Sequence, residues 1–177
     1  MIKPIIIVAV DCEGGFGKEG KIPWFLPEDF EHFKKITTGH VCVMGRRTYE
    51  EMLETRIQRD IARNVKLPIN EILRNRESYV ISNREGFTTP GATKVRDLGS
   101  VTTKMNSTND QRKLFVIGGR RLFVEALSTT DTIRMTVLKG EKYNCDVFFP
   151  VDVVNKKFKI VSGKETEKAY FVDYKRI

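Results

Sequence analysis

The chain opens with a continuous β-branched run, Ile5-Ile6-Ile7-Val8-Ala9-Val10, whose pattern predicts a strand buried on both faces. Glycines at 14, 15, 17 and 20 follow, and so little backbone restraint predicts a mobile loop. Pro23 and Pro27 bracket Trp24, and Pro27 suits the first turn of a helix over residues 28–37, where Phe30, Phe33 and Ile36 recur at helical spacing before Gly39 closes it. Val41-Cys42-Val43-Met44 predicts a second buried strand, and a helix containing Met52 and Leu53 begins at about Thr48. Residues 55–75 read as a polar insertion with its own helical signal: Ile57, Ile61 and Val65 are four apart, Pro68 breaks the run, and Asn70 caps a short turn through Leu73. Ser78–Ser82 is a third strand, with a turn at Thr89-Pro90-Gly91 and a short strand near Thr93–Val95. Residues 99–112, rich in Ser, Thr and Asn, read as a weak helix or a loop. Lys113–Ile117 is a strand that stops at Gly118-Gly119, and a helix over Arg120–Leu127 follows. The remaining strands are Asp131–Leu138, Phe158–Ser162 and Ala169–Arg176, the last two as an antiparallel pair. Lys156, Lys157 and Lys159, interleaved with Phe158 and Ile160, resemble the exposed face of a strand.

Strands alternating with helices to about residue 127, then strands alone, indicate an α/β fold with a mainly parallel sheet and an antiparallel edge. No repeat, linker or shift of composition divides residues 1–177, so one domain with an insertion at about 55–75 is expected. Composition changes this picture only by exclusion. With 40% hydrophobic and 31% charged residues the chain is ordinary globular material. Its longest apolar run is far short of the roughly 20 residues that span a bilayer, and no secretory signal is expected before Asp11 and Glu13. Three scattered cysteines, Cys12, Cys42 and Cys145, fit reduced thiols in a cytoplasm better than a disulfide framework. With only His32, read as a helix-surface residue, and His40 beside them, no metal site is expected.

The net charge of +8 is uneven, because residues 1–40 carry five basic and six acidic side chains. The basic excess therefore lies beyond residue 40, where it serves a nucleic acid, a small polyanion such as a phosphorylated cofactor, or nothing more than solvation. No zinc-finger spacing, RNP-like motif or glycine-rich basic tail supports nucleic acid.

Candidate chemistry gathers at a few turns. Asp29 follows a Trp-x-x-Pro turn at the start of a helix and shares a face with Phe33. A carboxylate among aromatic rings is partly dehydrated, which raises its pKa and sharpens its hydrogen bond to an amidine-like ligand. The plainer role is an acid that complements the helix dipole beside Glu28. Gly118-Gly119, at a strand-to-helix turn, is either a tight turn or a place where bare backbone approaches a pyrophosphate. Gly45-Arg46-Arg47-Thr48 and Ser82-Asn83-Arg84 end two strands expected to be parallel, and each is either surface arginine or an anion site with bidentate donors. Trp24 either belongs to the core or walls a pocket beside Asp29. There is no Ser/His/Asp triad and no HExxH.

In this order, the opening strand to Ala9, Ile22-Pro23-Trp24-x-Leu26-Pro27-x-Asp29, Phe33-Lys34, Met44-Gly45-Arg46-x-Thr48, Val116-Ile117-Gly118-Gly119, Thr136 and Asp146-x-x-Phe149-Pro150 resemble the dihydrofolate reductase family over nearly the whole chain. The resemblance implies a three-layer fold: a mixed sheet of about eight strands, mostly parallel with an antiparallel C-terminal edge, and four or so helices on its faces. It implies transfer of hydride from NADPH to 7,8-dihydrofolate, in support of one-carbon and thymidylate metabolism. It implies a single-chain enzyme, expected as a cytoplasmic monomer that binds dihydrofolate and antifolate-like small molecules, with no nucleic acid or membrane partner.

By the same resemblance Asp29 grips the pterin's 2-amino group and ring nitrogen, Thr136 supports that carboxylate, and Trp24 holds a water against it. Ile7, Val8, Phe30, Phe33, Met52 and Ile117 are implied to line the substrate pocket, and Arg76 to clamp the glutamate α-carboxylate, with Arg74 as its rival. Ala9, Phe16, Gly17 and Ile22 are implied on the nicotinamide side and its lid. Gly45, Arg46, Arg47, Thr48, Ser82, Asn83 and Arg84 match the adenosine-phosphate site, and Gly118, Gly119, Arg121, Leu122 and Phe123 the passage of the pyrophosphate and nicotinamide. Family members hold the Gly-Gly bond cis. Departures are the long 54–76 segment, Phe123 where a tyrosine often stands, Phe16 in place of a small aliphatic, and Cys12-Glu13-Gly14 in the loop.

Two rival readings remain at this level. The reductase of riboflavin biosynthesis shares the architecture, but Asp29 with Phe33 suits a flat pterin better. A basic binding protein would use the insertion, where Arg56, Arg59, Arg63, Lys66 and Arg74 outnumber Asp60 and Glu71.

Overall fold

The β-branched opening run forms β1 (Ile5–Val10), the axis on which the rest of the chain is assembled. In the computed structural model, which describes residues 1–140 and 142–177, β2 (Gly15–Gly17), α1 (Pro27–Thr37), β3 (Val41–Gly45), α2 (Arg46–Ala62), β4 (Glu77–Ile81), β5 (Thr93–Val95) and α3 (Leu98–Ser107) follow. Then come β6 (Leu114–Val116), α4 (Arg120–Ala126), β7 (Thr132–Leu138), β8 (Val147–Phe148), α5 (Val151–Lys157), β9 (Phe158–Glu165) and β10 (Ala169–Arg176). Eight strands pair in the order β5-β4-β3-β6-β1-β7-β10-β9. All neighbours from β5 to β7 are parallel, whereas β10 runs antiparallel to both β7 and β9. The mixed sheet with an antiparallel C-terminal edge is the expected fold.

Alternation along the central strands divides the core between the two faces of the sheet. Ile6, Val8 and Val10 join Val41, Val43, Leu114 and Val116 in the largest cluster, together with Leu122 and Phe123 of α4. Ile7, Cys42 and Phe115 point to the other face and meet Phe33, Leu73 and Ile117. Each fully buried side chain of this size contributes about 1.5–3 kcal/mol.

Several boundaries differ from expectation for physical reasons. Residues 46–62 are one helix of 17 residues, so the signal at Ile57 and Ile61 extends α2 rather than starting a separate element. Ile57, Ile61, Val65 and Leu67 remain exposed, so the four-residue spacing marks a helix without a core behind it. Residues 98–107 form α3, capped by the Asp97 side chain, which accepts from the Ser100 N–H at 2.7 Å. Lys156 and Lys157 lie in the last turn of α5, an element the alternating lysines concealed; Val154 is its buried anchor. The chain thus has five helices among the described residues rather than four. His32 is half-buried rather than on the surface, with its ring 4.4 Å from that of Phe171.

The glycine-rich loop is more structured than its composition predicts. β2 pairs antiparallel with β8, and Asp11, itself buried, accepts the N–H groups of Glu13 and Gly15 at 2.9 Å. Gly15 is required by close approach, since a Cβ there would collide with Cβ of Cys145.

Candidate active site

The cleft opens where the sheet changes direction of growth. β6 lies between β1 and β3 but is only three residues long, and beyond it the chain turns through Gly118-Gly119, a cis peptide. Open α/β sheets bind ligands at the carboxyl ends of strands beside such a switch point. Gly118 O accepts from Gly45 N at 2.8 Å, which joins the ends of β3 and β6. Gly118 has φ +127, and a Cβ on it would lie 3.2 Å from Thr48 Oγ1, so bare backbone from two turns and one hydroxyl share a small space. The amides at the start of α2 have no side-chain cap.

Asp29 sits on the opposite side of β1, in the first turn of α1. Pro27 occupies the helix start, and buried Trp24 and Leu26 anchor the approach to it; the Trp24 ring meets Tyr143 edge-on at 5.3 Å. The Asp29 carboxyl is half-buried, and burial pushes its pKa above the usual carboxylate value. The buried Thr136 hydroxyl of β7 faces it and pulls the other way, and Glu28 adds a smaller upward push. Such a group exchanges charge for a hydrogen bond readily when a cationic heterocycle arrives. One helical turn on, Phe33 packs against the cluster of Ile7, Cys42 and Phe115, as does Ile117, and Met52 of α2 packs with Ile117 against the cluster of Met44, Tyr49, Ile72 and Val80. Arg76 borders this apolar wall: its Nη1 donates to Thr37 Oγ1 at 3.1 Å, its Nε donates to the Arg74 carbonyl at 3.0 Å, and its guanidinium stands 5.7 Å from the Phe33 ring centroid.

A model of the family described as dihydrofolate reductase matches residues 3–176. The chain belongs to the dihydrofolate reductase family. Dihydrofolate reductase of Staphylococcus aureus is 31% identical over 145 residues, covering 82% of this chain and 76% of that one. Dihydrofolate reductase of Bacillus subtilis is 30% identical over 162 residues, covering 92% and 83%. A solved dihydrofolate reductase from Enterococcus faecalis, complexed with NADP(H) and RAB-propyl, superposes with a TM-score of 0.74 at 24% identity over 98% of this chain and 96% of that one, which agrees in fold. The enzyme's activity is reduction of dihydrofolate.

The structure gathers some of the expected residues into two groups and leaves others apart. Asp29 lies against Thr136 of β7, Phe33 and Ile117 pack on the cluster of Ile7, Cys42 and Phe115, and Gly45, Thr48, Gly118 and Gly119 meet at the ends of β3 and β6. Val8 does not share the pocket wall with Ile7: adjacent strand residues point to opposite faces, and the Val8 side chain is part of the large core. Leu122 and Phe123 are buried in that core too, where Phe123 meets Phe16 of the loop edge-on at 5.4 Å. Phe30 and Ile22 are exposed, the first stacked at a tilt on Phe25. Ala9 packs beside Trp24 and Phe16. Arg46 is paired with Glu50 at 3.0 Å, whereas Arg47, Asn83, Arg84 and Arg121 are exposed and Ser82 is half-buried. Gly17 is tied by its carbonyl, which accepts from Asp146 N at 2.9 Å.

Two carboxylates escaped sequence reasoning. Asp11 pins the glycine loop, and Glu51 on α2 accepts from Ile22 N at 3.1 Å. An isolated acid before a Gly-Gly pair is a usable sign for the first; the second has no local signal, because its partner is 29 residues away. An open groove of about 820 Å³ lies behind α1, lined by His32, Lys35, Arg134, Lys164 and Phe171 among others. Asp29 is not among its lining residues, and Glu28, Glu31 and Asp173 on its walls offset its cations.

Proposed function

We propose that Asp29 holds and orients the pterin of dihydrofolate, while NADPH lies across the turns at Gly45–Thr48 and Gly118-Gly119. The single observation that carries this reading is the half-buried Asp29 carboxyl, raised in pKa by burial and set against Thr136 and Phe33 on the same side of β1. The cofactor region fits a phosphorylated dinucleotide: uncapped amides at α2, glycines whose Cβ would fill the cradle, and exposed Arg47 and Arg84 for a 2′-phosphate that NADH lacks. NADPH, when bound, supplies the hydride.

The chain's own residues supply position and electrostatics. Asp29 accepts hydrogen bonds from the 2-amino group and the adjacent ring nitrogen, which orients the ring, and its negative charge favours a proton at nitrogen 5. Thr136 keeps the carboxylate facing that edge. Trp24, buried just ahead of α1, walls that approach and holds the water that carries the proton. Ile7, Phe33, Met52 and Ile117 sandwich the ring and aminobenzoyl group, and Arg76, already aimed by Thr37 and Phe33, takes the glutamate α-carboxylate. Exposed Arg74 has no such support, which favours Arg76 for the clamp. Ala9, Phe16, Gly17 and Ile22 close the nicotinamide side.

Every residue assigned above to the cleft comes from one chain, which supports a monomeric enzyme formed by a single domain over 1–177 with α2 and the following loop as its extension. Three free cysteines support a reducing, cytoplasmic setting. No described helix is long and apolar enough to cross a membrane.

Loss of nicotinamide absorbance tests the reading. Purified protein is expected to consume NADPH with dihydrofolate much faster than NADH, and Asp29→Asn to slow turnover roughly hundredfold or more near neutral pH while still binding NADPH. Undiminished turnover in that variant would remove Asp29 from the reaction.

A further inference from the structure

The segment from Lys18 to Leu26 bridges the two halves of the cleft and is anchored at its ends. Near one end, Glu19 N donates to Asp146 Oδ2 at 2.9 Å, and Lys18 and Lys21 exchange backbone hydrogen bonds around Gly20. At the other end, Trp24 and Leu26 are buried. Between them Ile22 is exposed, and its N–H is met by the carboxylate of Glu51, one residue before Met52 on α2. Among the described residues no other side chain hydrogen-bonds the backbone between Gly20 and Leu26.

Glu51 is half-buried and, among the described residues, forms no salt bridge. Burial raises its pKa, the Ile22 N–H and the Lys21 ammonium counter this, and Glu54 one turn on adds to it. A carboxylate that gives up water for one backbone N–H across 29 residues of chain holds two elements together rather than decorating a surface.

We propose that Glu51 is a positioning residue that latches the 18–26 segment to α2 and so sets how fast NADPH leaves. This rests on the placement of Ile22 beside the nicotinamide given above. Glu51 touches neither the pterin edge at Asp29 nor the Gly-Gly corner; it acts through the loop it holds. Opening the cleft requires the Ile22–Glu51 hydrogen bond to break, and cutting it beforehand lowers that barrier.

The test compares parent, Glu51→Ala, Glu51→Ser and Glu51→Gln proteins, using Trp24, the only tryptophan, as reporter two residues from the latch. NADPH is displaced from the binary complex by excess NADP⁺ in a stopped-flow instrument, and Trp24 quenching by acrylamide is measured in the cofactor-free chain. In the Ala and Ser variants release is expected to quicken about three- to tenfold, as loss of one partly exposed charge-assisted hydrogen bond allows. The KM for NADPH should rise with the KM for dihydrofolate unchanged, and Trp24 should become more quenchable. Gln offers the same acceptor oxygen, so Glu51→Gln should stay within about twofold of the parent. Release at the parental rate after truncation, or a Gln variant as fast as Ala, overturns the latch. If the parent itself fails to bind NADPH, the functional reading fails, and acrylamide quenching of the cofactor-free proteins still decides the latch: equal quenching in parent and Ala variant ends it.

Discussion

A carboxyl partly withdrawn from water ionises less readily than one on a surface, and in the folded chain Asp29 has its pKa raised for that reason. The folded state then binds a proton more tightly than the unfolded state, so this group's contribution to stability is most favourable at low pH and declines as pH rises from the ordinary value of 3.8 through the raised one. Asp29→Asn removes the charge and the decline. Urea unfolding is therefore expected to find the Asn variant more stable than the parent at pH 7 and no better below about pH 4, even as it loses turnover. Equal pH profiles for the two proteins would show that Asp29 carries no burial cost. Arg76 admits a similar separation from its neighbour. Arg76→Leu is expected to raise the KM for dihydrofolate by about 10- to 100-fold, the loss of a charge-assisted pair worth roughly 1.5–3 kcal/mol, with little change for NADPH. Arg74→Leu should leave it near the parental value; the reverse result would move the clamp. Asp29 was readable because Trp-x-x-Pro and helical spacing surround it. The choice between Arg74 and Arg76 was not, because it depends on which guanidinium Thr37 and Phe33 hold, and those lie 39 and 43 residues away in the chain.

Among elements, the loop between β1 and α1 shows what composition hides. Its glycines predict mobility, yet the carboxylate of Asp11 organises them. Burial pushes the pKa of that group up, but the N–H groups of Gly15, Glu13 and Tyr143 and the Cys145 thiol outweigh burial and hold it below the ordinary 3.8. Its stabilisation is present above that value and is lost as pH falls through the depressed one. Asp11→Asn keeps one acceptor and sets an amide donor against backbone donors, so it should cost about 1–3 kcal/mol at pH 7 by urea unfolding, with the deficit narrowing below about pH 4. A neutral effect would mean that β2 and β8 hold the loop without it. The eight strands of the main sheet were legible because apolar, β-branched runs announce themselves locally, whereas the two- and three-residue strands β2 and β8 carry no such run. α5 was not: it is one short segment after Pro150 with a single buried side chain, Val154, so little apolar pattern marks it. The far end of α2 misled in the opposite way, since a helical spacing of isoleucines normally implies burial that Ile57 and Ile61 do not have.

For the molecule as a whole, the cleft depends on strands that are distant in sequence yet adjacent in the sheet. β1, β3 and β6 contribute its floor, and β7 supplies Thr136. The order of motifs made that assembly legible, whereas the insertion of β6 between β1 and β3 is a long-range pairing that no local pattern records. Because every strand that carries the site also carries the core, ligand binding and global unfolding should be coupled. Binding only to the folded chain at 100 times Kd adds about 2.7 kcal/mol. For a chain of this size each kcal/mol moves Tm by about 2–4 °C, so saturating NADPH should raise Tm by about 5–11 °C. With the 2′-phosphate held by Arg47 and Arg84 as proposed, NADH at the same concentration should shift it far less, and Arg47→Ala with Arg84→Ala should bring the two shifts together. Trp24 fluorescence and far-ultraviolet circular dichroism should report one coincident transition in each case. Separate transitions would mean that the loop and α1 melt independently of the sheet, and an equal shift from NADH would place the 2′-phosphate away from those two arginines.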